Sequence, residues 1–179
     1  NCAGGDGYFR ARTFYHVAGS TLSRLAALTG GACLSSTPTF DAGDALRVMS
    51  EERCTLTSGN DTMFLMLLNH PDFPKYQLTL RGGWVSCGPE VTQQIIDRMN
   101  MGGVTQAYGW SAASPNVCMS YYTDDLDKRI GGSDHIPDAD EVSNVDSGSG
   151  KVVWAGEPRE YQWRGRSGMA GFTWNRGAD

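Results

Sequence analysis

Hydrophobic positions along the first 110 residues switch repeatedly between extended and helical spacing. Phe9 to Val17 reads as a strand running into the turn Gly19-Ser20-Thr21, and Leu22, Leu25, Ala26 and Leu28 then form a helical stripe closed by Gly30-Gly31. Ala32 to Ser36 is a second strand. Asp41 caps a helix running through Arg53 with Leu46 and Met49 inward, and Cys54 to Ser58 is a third strand. Asn60-Asp61 caps the apolar helix Thr62 to Asn69, which Pro71 stops. Leu80 to Cys87 returns as a strand, Pro89 opens the helix Glu90 to Met101, and Gly103 to Tyr108 is a further strand. Parallel neighbours need crossover connections, so this alternation predicts an α/β fold, a layered parallel sheet with helices on both faces.

After about residue 117 the helical signal disappears. Short strand candidates, Cys118 to Tyr122, Glu141 to Asp146, Lys151 to Ala155 and Tyr161 to Arg164, lie between Gly, Ser and Asp turns. A small antiparallel β segment is expected there, with Asp146-Ser-Gly-Ser-Gly150 as a hairpin turn. The division expected is an α/β subdomain over 1–135 and a β-rich segment over 136–179.

The chain has 179 residues, of which 40% are hydrophobic and 20% charged, enough apolar surface for one sizeable core. Fifteen Lys plus Arg against twenty Asp plus Glu give a net charge of -5, and no basic run marks a phosphate backbone, so nucleic acid is not an expected partner. The longest apolar run, Met63 to Leu68, is far short of the ~20 residues of a membrane span. Five cysteines without a C-x-x-C pair fit neither a disulfide framework nor a zinc site, and reduced thiols in the cytoplasm are the expectation.

Several short patterns carry possible chemistry. Gly148-Ser149-Gly150-Lys151 lacks the upstream Gly and the helix of a phosphate loop and reads as a turn. Gly109-Trp110-Ser111-Ala112-Ala113, with Asp134 and His135 downstream, has the chain order of a serine hydrolase, although Pro115 interrupts the helix that should follow the nucleophile. Asp134, His135, Asp138, Asp140 and Glu141 form either an oxygen-rich metal site or a solvated acidic loop. His16 is a buried, hydrogen-bonded histidine or lines a pocket. Tyr108 and Trp110 flank Gly109 at the carboxyl end of a strand, where open α/β sheets bind ligands.

Taken in order, these stretches resemble the adenylate-forming acyl and aryl CoA ligases from about Tyr8 to Arg176. Phe14-Tyr15-His16-Val17-Ala18-Gly19 is similar to the family's F-F-H-V-A-G segment, and Gly82-Gly83-Trp84-Val85-Ser86-Cys87-Gly88-Pro89-Glu90 to its adenine loop. Gln106-Ala107-Tyr108-Gly109-Trp110-Ser111 resembles the Q-A-Y-G-x-[ST]-E signature, and Lys128 to Gly132 with 156–171 resemble segments of the barrel subdomain.

The resemblance implies an acid:CoA ligase that forms an acyl-adenylate from ATP and a small-molecule carboxylic acid and passes the acyl group to CoA. It implies nucleotide contacts at Ser86, Cys87, Gly88, Tyr108, Gly109 and Ser111, and an acyl pocket bordered by His16, Trp84 and Trp110. The family's metal-binding Glu is here Ala112, which removes a carboxylate expected to face the triphosphate and hold Mg²⁺. The phosphate loop and the catalytic Lys of that family have no counterpart in this stretch. The expectation is therefore the central part of a ligase, inactive by itself. The alternatives are a non-catalytic nucleotide or acyl-adenylate binding remnant and a serine hydrolase using Ser111.

Overall fold

A computed structural model describes residues 2–113, 115–132, 135–137, 140–153, 160–166 and 168. Six strands form one sheet: β1 (Gly7–Arg10), β2 (Cys33–Ser36), β3 (Leu56–Asn60), β4 (Gly82–Ser86), β5 (Gly103–Tyr108) and β6 (Cys118–Met119). Their order is β2-β1-β3-β4-β5-β6. β1 to β5 run parallel, and β6 returns antiparallel against the end of β5 through Ala107↔Met119 and Tyr108↔Cys118.

The helices begin where short polar side chains supply the acceptors that free backbone N–H groups need. Asp41 Oδ1 accepts from the Asp44 N–H at 2.9 Å to start α2 (Ala42–Glu51), after a helix α1 (Ala26–Gly30) that ends at left-handed Gly31. Asn60 Oδ1 accepts from the Met63 N–H at 3.2 Å to start α3 (Asp61–Leu68). Pro89 opens α4 (Pro89–Met99), where its missing N–H costs nothing, and Asn100 closes it at φ 58°.

Alternation within the strands separates two faces. Phe9, Val85 and Val104 pack with Leu46 and Met49 of α2, Phe64 and Leu68 of α3, and Ile95 and Met99 of α4 in the main core. The neighbouring positions Tyr8 and Trp84 point the other way, toward Ala27 and Ala18. The strands meet closely at Gly83, whose φ is 147° and where a Cβ would overlap the Thr57 carbonyl oxygen.

Three expectations are corrected. The first strand stops at Arg10; residues 11–17 turn instead, with the His16 N–H donating to the Thr13 carbonyl at 3.2 Å. The apolar run was misleading because Phe14 and Tyr15 are 50% and 91% exposed. The helix that follows starts with wide π-type turns over Ala18–Leu25. More residues per turn rotate the stripe, so Ala18, Ser23 and Ala27 face inward while Leu25 and Leu28 are exposed. Third, helix does not end at about residue 117: residues 126–131 form a short helix, α5 (Leu126–Gly131). It is held to the sheet by Arg129, which donates to the Gly102 and Val104 carbonyls at 2.7 and 3.1 Å.

A second, two-stranded antiparallel sheet joins β7 (Glu141–Val145) to β8 (Glu160–Arg164). Between them the Ser149 N–H and Oγ–H both donate to Asp146 Oδ1 at 2.7 Å, which makes Gly148 to Lys151 a hairpin turn. Of the expected strand Lys151 to Ala155, Val152 bridges to Val145, and Trp154 and Ala155 lie outside the described residues. Among the described residues no helix is long and apolar enough to cross a membrane.

Candidate ligand-binding site

β4 and β5 lie side by side in register from Gly82↔Gly103 to Val85↔Gln106, so their carboxyl ends deliver Ser86 and Tyr108 to one edge of the sheet. There a cavity of about 290 Å³ is lined by His16, Trp84, Ser86, Tyr108, Gly109, Trp110 and Ser111, together with Arg12 and Asn116. Seven of the nine residues singled out in the sequence thus share one cavity. Cys87 lines a neighbouring hollow of about 300 Å³ with Ser86, Gln106, Tyr108 and Gly131. Gly88 lines neither: its N–H donates to Asp61 Oδ1 at 2.9 Å as α4 begins.

The chain bends sharply after Tyr108, because Gly109 passes so near the Pro115 carbonyl that a Cβ there would overlap it. Ser111 to Ala113 follow as one 3₁₀ turn. Ser111 is exposed in the cavity wall, whereas Ala112 is half-buried and does not line it.

Tyr108 is 49% exposed and meets its aromatic neighbours at ring edges. Its ring centroid lies 6.0 Å from Trp110 at 76° and 5.9 Å from Tyr161 at 89°. Trp163 extends the cluster, 6.5 Å from Trp110. Strand β8 therefore contributes two rings that no pattern near Tyr108 in the sequence announces.

Gln106 organises the strand ends from beneath. Its carboxamide N–H groups donate to the Cys87 carbonyl at 2.8 Å, Thr92 Oγ1 at 3.0 Å and the Ile130 carbonyl at 3.2 Å. Its Oε1 accepts from the Cys87 N–H at 3.4 Å. It shares the core-facing parity of Val104, and a polar residue at that parity is the signal that could have found it. Ser86 Oγ donates to the Ala107 carbonyl at 3.0 Å and adds a second tie. Burial, reinforced by Asp61, pushes the Cys87 thiol up to about 12, so this sulfur stays protonated and is no nucleophile.

His16 sits in the turn after β1, exposed, with Nδ1 accepting from the Ala18 N–H at 3.2 Å. His135 directs Nε2 to Asp124 at 2.9 Å and stacks on Tyr121 at 3.9 Å. That nitrogen is thus committed to Asp124 rather than to Ser111. Asp134 and Asp138 lie outside the described residues. Among the described residues no group of three or more His, Cys, Asp or Glu side chains is placed to hold a metal ion, and the cavity lining contains no carboxylate. These residues do not fit Mg²⁺.

A mostly parallel sheet with helices on both faces, and an aromatic-walled cavity at the strand ends, define an α/β fold with a candidate ligand pocket. The chain belongs to the family described as AMP-binding enzyme, which matches residues 2–173. It is 34% identical over 163 residues to the mitochondrial medium-chain acyl-CoA ligase ACSF2 of Mus musculus, matching 88% of this chain and 26% of that protein. The fold is similar to the anthranilate CoA ligase AuaEII in complex with anthranoyl-AMP: TM-score 0.81 and 19% identity over 93% of this chain and 32% of the other. The benzoate CoA ligase of Burkholderia xenovorans LB400 gives 0.81 and 18% over 97% and 36%. The chain spans about a quarter of the length of the mammalian relative.

Proposed function

We propose that this chain forms the adenine and acyl pocket of an ATP-dependent carboxylic acid:CoA ligase. Such an enzyme joins an acid to AMP with release of pyrophosphate, and the CoA thiol then displaces AMP from the acyl carbon. One observation carries the reading: a single cavity at the carboxyl ends of β4 and β5 is lined by Tyr108, Gly109, Ser111 and Ser86 together with His16, Trp84 and Trp110. Tyr108 would stack on adenine, Ser111 would donate its hydroxyl proton to a phosphate oxygen, and Trp84 and Trp110 would border an aromatic or medium-length acid. Family membership and the names of the relatives support this assignment.

ATP, Mg²⁺ and CoA are the co-substrates and metal of the complete enzyme in this reading, with Mg²⁺ ligands drawn from outside the cavity lining. Ala112 favours a second reading, a chain that holds an adenylate without forming it. The proposed compartment is the cytoplasm, in keeping with five free thiols.

Titration of AMP into the chain tests both. Base stacking on one aromatic ring is worth about 1–3 kcal/mol, so Tyr108→Ala should weaken AMP roughly tenfold or more while the chain remains folded. Unchanged AMP affinity in Tyr108→Ala would remove the adenine assignment. Exchange of pyrophosphate into ATP by the chain would show adenylation and remove the binding-only reading.

A further inference from the structure

Among the described residues the two-stranded sheet β7–β8 contributes nothing to the cavity lining, yet it touches the ring placed under the base. Tyr161 and Trp163 are two apart on β8 and project from one face of it. Tyr161 meets both rings that flank Gly109: its centroid lies 5.9 Å from Tyr108 at 89° and 6.2 Å from Trp110 at 79°. Those two lie 6.0 Å from each other at 76°, so the three rings meet pairwise in the edge-to-face arrangement that aromatic quadrupoles favour. Trp163 backs Trp110 at 6.5 Å. Tyr161 also neighbours Cys118, a buried residue paired with Tyr108 across β5 and β6. Burial, and after it Cys118 and Tyr108, hold the Tyr161 hydroxyl above its ordinary value, so the ring enters these contacts uncharged.

A two-stranded sheet is marginally stable by itself, so the face that carries Tyr161 and Trp163 gains its support from the turn after β5. The same contacts restrict that turn. Tyr108 is half exposed, and stacking a base on a ring free to change rotamer costs the entropy of fixing it. A ring already held by Tyr161 has lost that freedom before the base arrives.

We propose that Tyr161 is a positioning residue for the nucleotide: from outside the cavity it fixes the Tyr108 ring for the base, and it thereby couples occupancy of the cavity to the order of the β7–β8 sheet. The assignment rests on the proposed function, since it takes Tyr108 as the ring that stacks on adenine. Coupling through a shared contact acts in both directions, so a base that holds Tyr108 also holds Tyr161 and the sheet that carries it.

Calorimetric titration of AMP into the unsubstituted chain, Tyr161→Ala, Tyr108→Ala and the double variant tests the role, together with amide hydrogen exchange of β7 and β8 with and without AMP. Tyr161→Ala should weaken AMP roughly two- to tenfold, the scale of an edge-to-face aromatic pair, and Tyr161→Phe, which keeps the ring, should restore the affinity. On the Tyr108→Ala background the same Tyr161→Ala change should cost less than about twofold, because its effect passes through that ring, whereas a general packing defect would add in full. AMP should slow exchange across β7 and β8 in the unsubstituted chain and not in Tyr161→Ala. Exchange that AMP does not slow in the unsubstituted chain overturns the coupling without recourse to any variant, and full additivity of the two substitutions overturns the positioning role. If Tyr108→Ala weakens AMP while Tyr161→Ala does not, the adenine reading stands and this inference alone falls. If Tyr108→Ala leaves AMP affinity unchanged, or the unsubstituted chain does not bind AMP, the adenine assignment falls and the positioning role falls with it.

Discussion

Two arginines, two positions apart at the end of β1, meet opposite environments. Arg12 opens onto the cavity, but Arg10 is only 4% exposed and its Nε and Nη1 have no hydrogen-bond partner among the described residues. Its guanidinium lies 3.5 Å over the exposed ring of Phe14. Such a cation–π contact contributes about 1–2 kcal/mol, whereas burying a cation without an anion costs several kcal/mol. Desolvation wins, and burial accordingly lowers the pKa of Arg10. Arg10→Met keeps the apolar stem and removes the charge, so it should raise the unfolding free energy by about 1–2 kcal/mol in urea titrations. A loss of stability would show instead that the guanidinium has an acceptor. Because Arg10 does not line the cavity, AMP affinity should be the same in both proteins.

At the scale of elements, β5 is held by a side chain rather than by apolar packing alone. Gln106 ties β5 to the Ser86–Gly88 turn, to α4 through Thr92 and to α5 through Ile130. Gln106→Leu fits the strand but strips acceptors of their donors inside the protein. It should cost about 2–3 kcal/mol of stability and weaken AMP binding, because the turn before α4 loses its anchor. Stability and binding measured on the same preparation decide it; an unaltered melting curve would mean that β4 and α5 hold the turn unaided. The same element shows what the sequence makes legible. Val104, Ala107 and Gly109 after Tyr108 announce a strand ending in a tight turn, and Asp41, Asn60 and Pro89 announce three helix starts, since those signals are local. The short helix α5 was hidden because its amphipathic pattern is weak and Arg129 holds it by bonds to distant carbonyls. The inward turn of Ala18, Ser23 and Ala27 was hidden because π-type geometry breaks the 3.6-residue period. In the site, Tyr108 and Trp110 were legible from their place after a strand. Tyr161 and Trp163 were not, because a separate sheet brings them across.

The whole molecule separates its chemistry by the direction of its strands, with the cavity at their carboxyl ends and a charged knot at their amino ends. In that knot Asp6 Oδ1 accepts from Thr55 Oγ1 at 2.6 Å and Arg81 Nε at 3.1 Å. Oδ2 accepts from Arg81 Nη2 at 2.6 Å and the Ala3 N–H at 3.0 Å. One carboxylate therefore joins the segment before β1 to the starts of β3 and β4. The Arg81 bond, with help from Thr55 and Ala3 and against the cost of burial, lowers the Asp6 carboxyl from 3.8 to about 2. A folded-state value below the unfolded one means that the ionised carboxylate stabilises the fold, fully above the unfolded value, and that this contribution is lost as pH falls through about 2. Asp6→Asn should therefore be less stable than the unsubstituted chain near neutral pH. The gap should stay constant down to about pH 5 and narrow steadily below about pH 4, since acid removes the same charge from the unsubstituted protein. Urea unfolding at a series of pH values measures the gap directly, and other carboxylates cancel because both proteins share them. A gap that persists unchanged to about pH 2.5 would show that Asp6 acts through shape rather than charge. Its distance from the strand ends that form the cavity adds a second requirement: at neutral pH, Asp6→Asn should lower stability while leaving AMP affinity where it was.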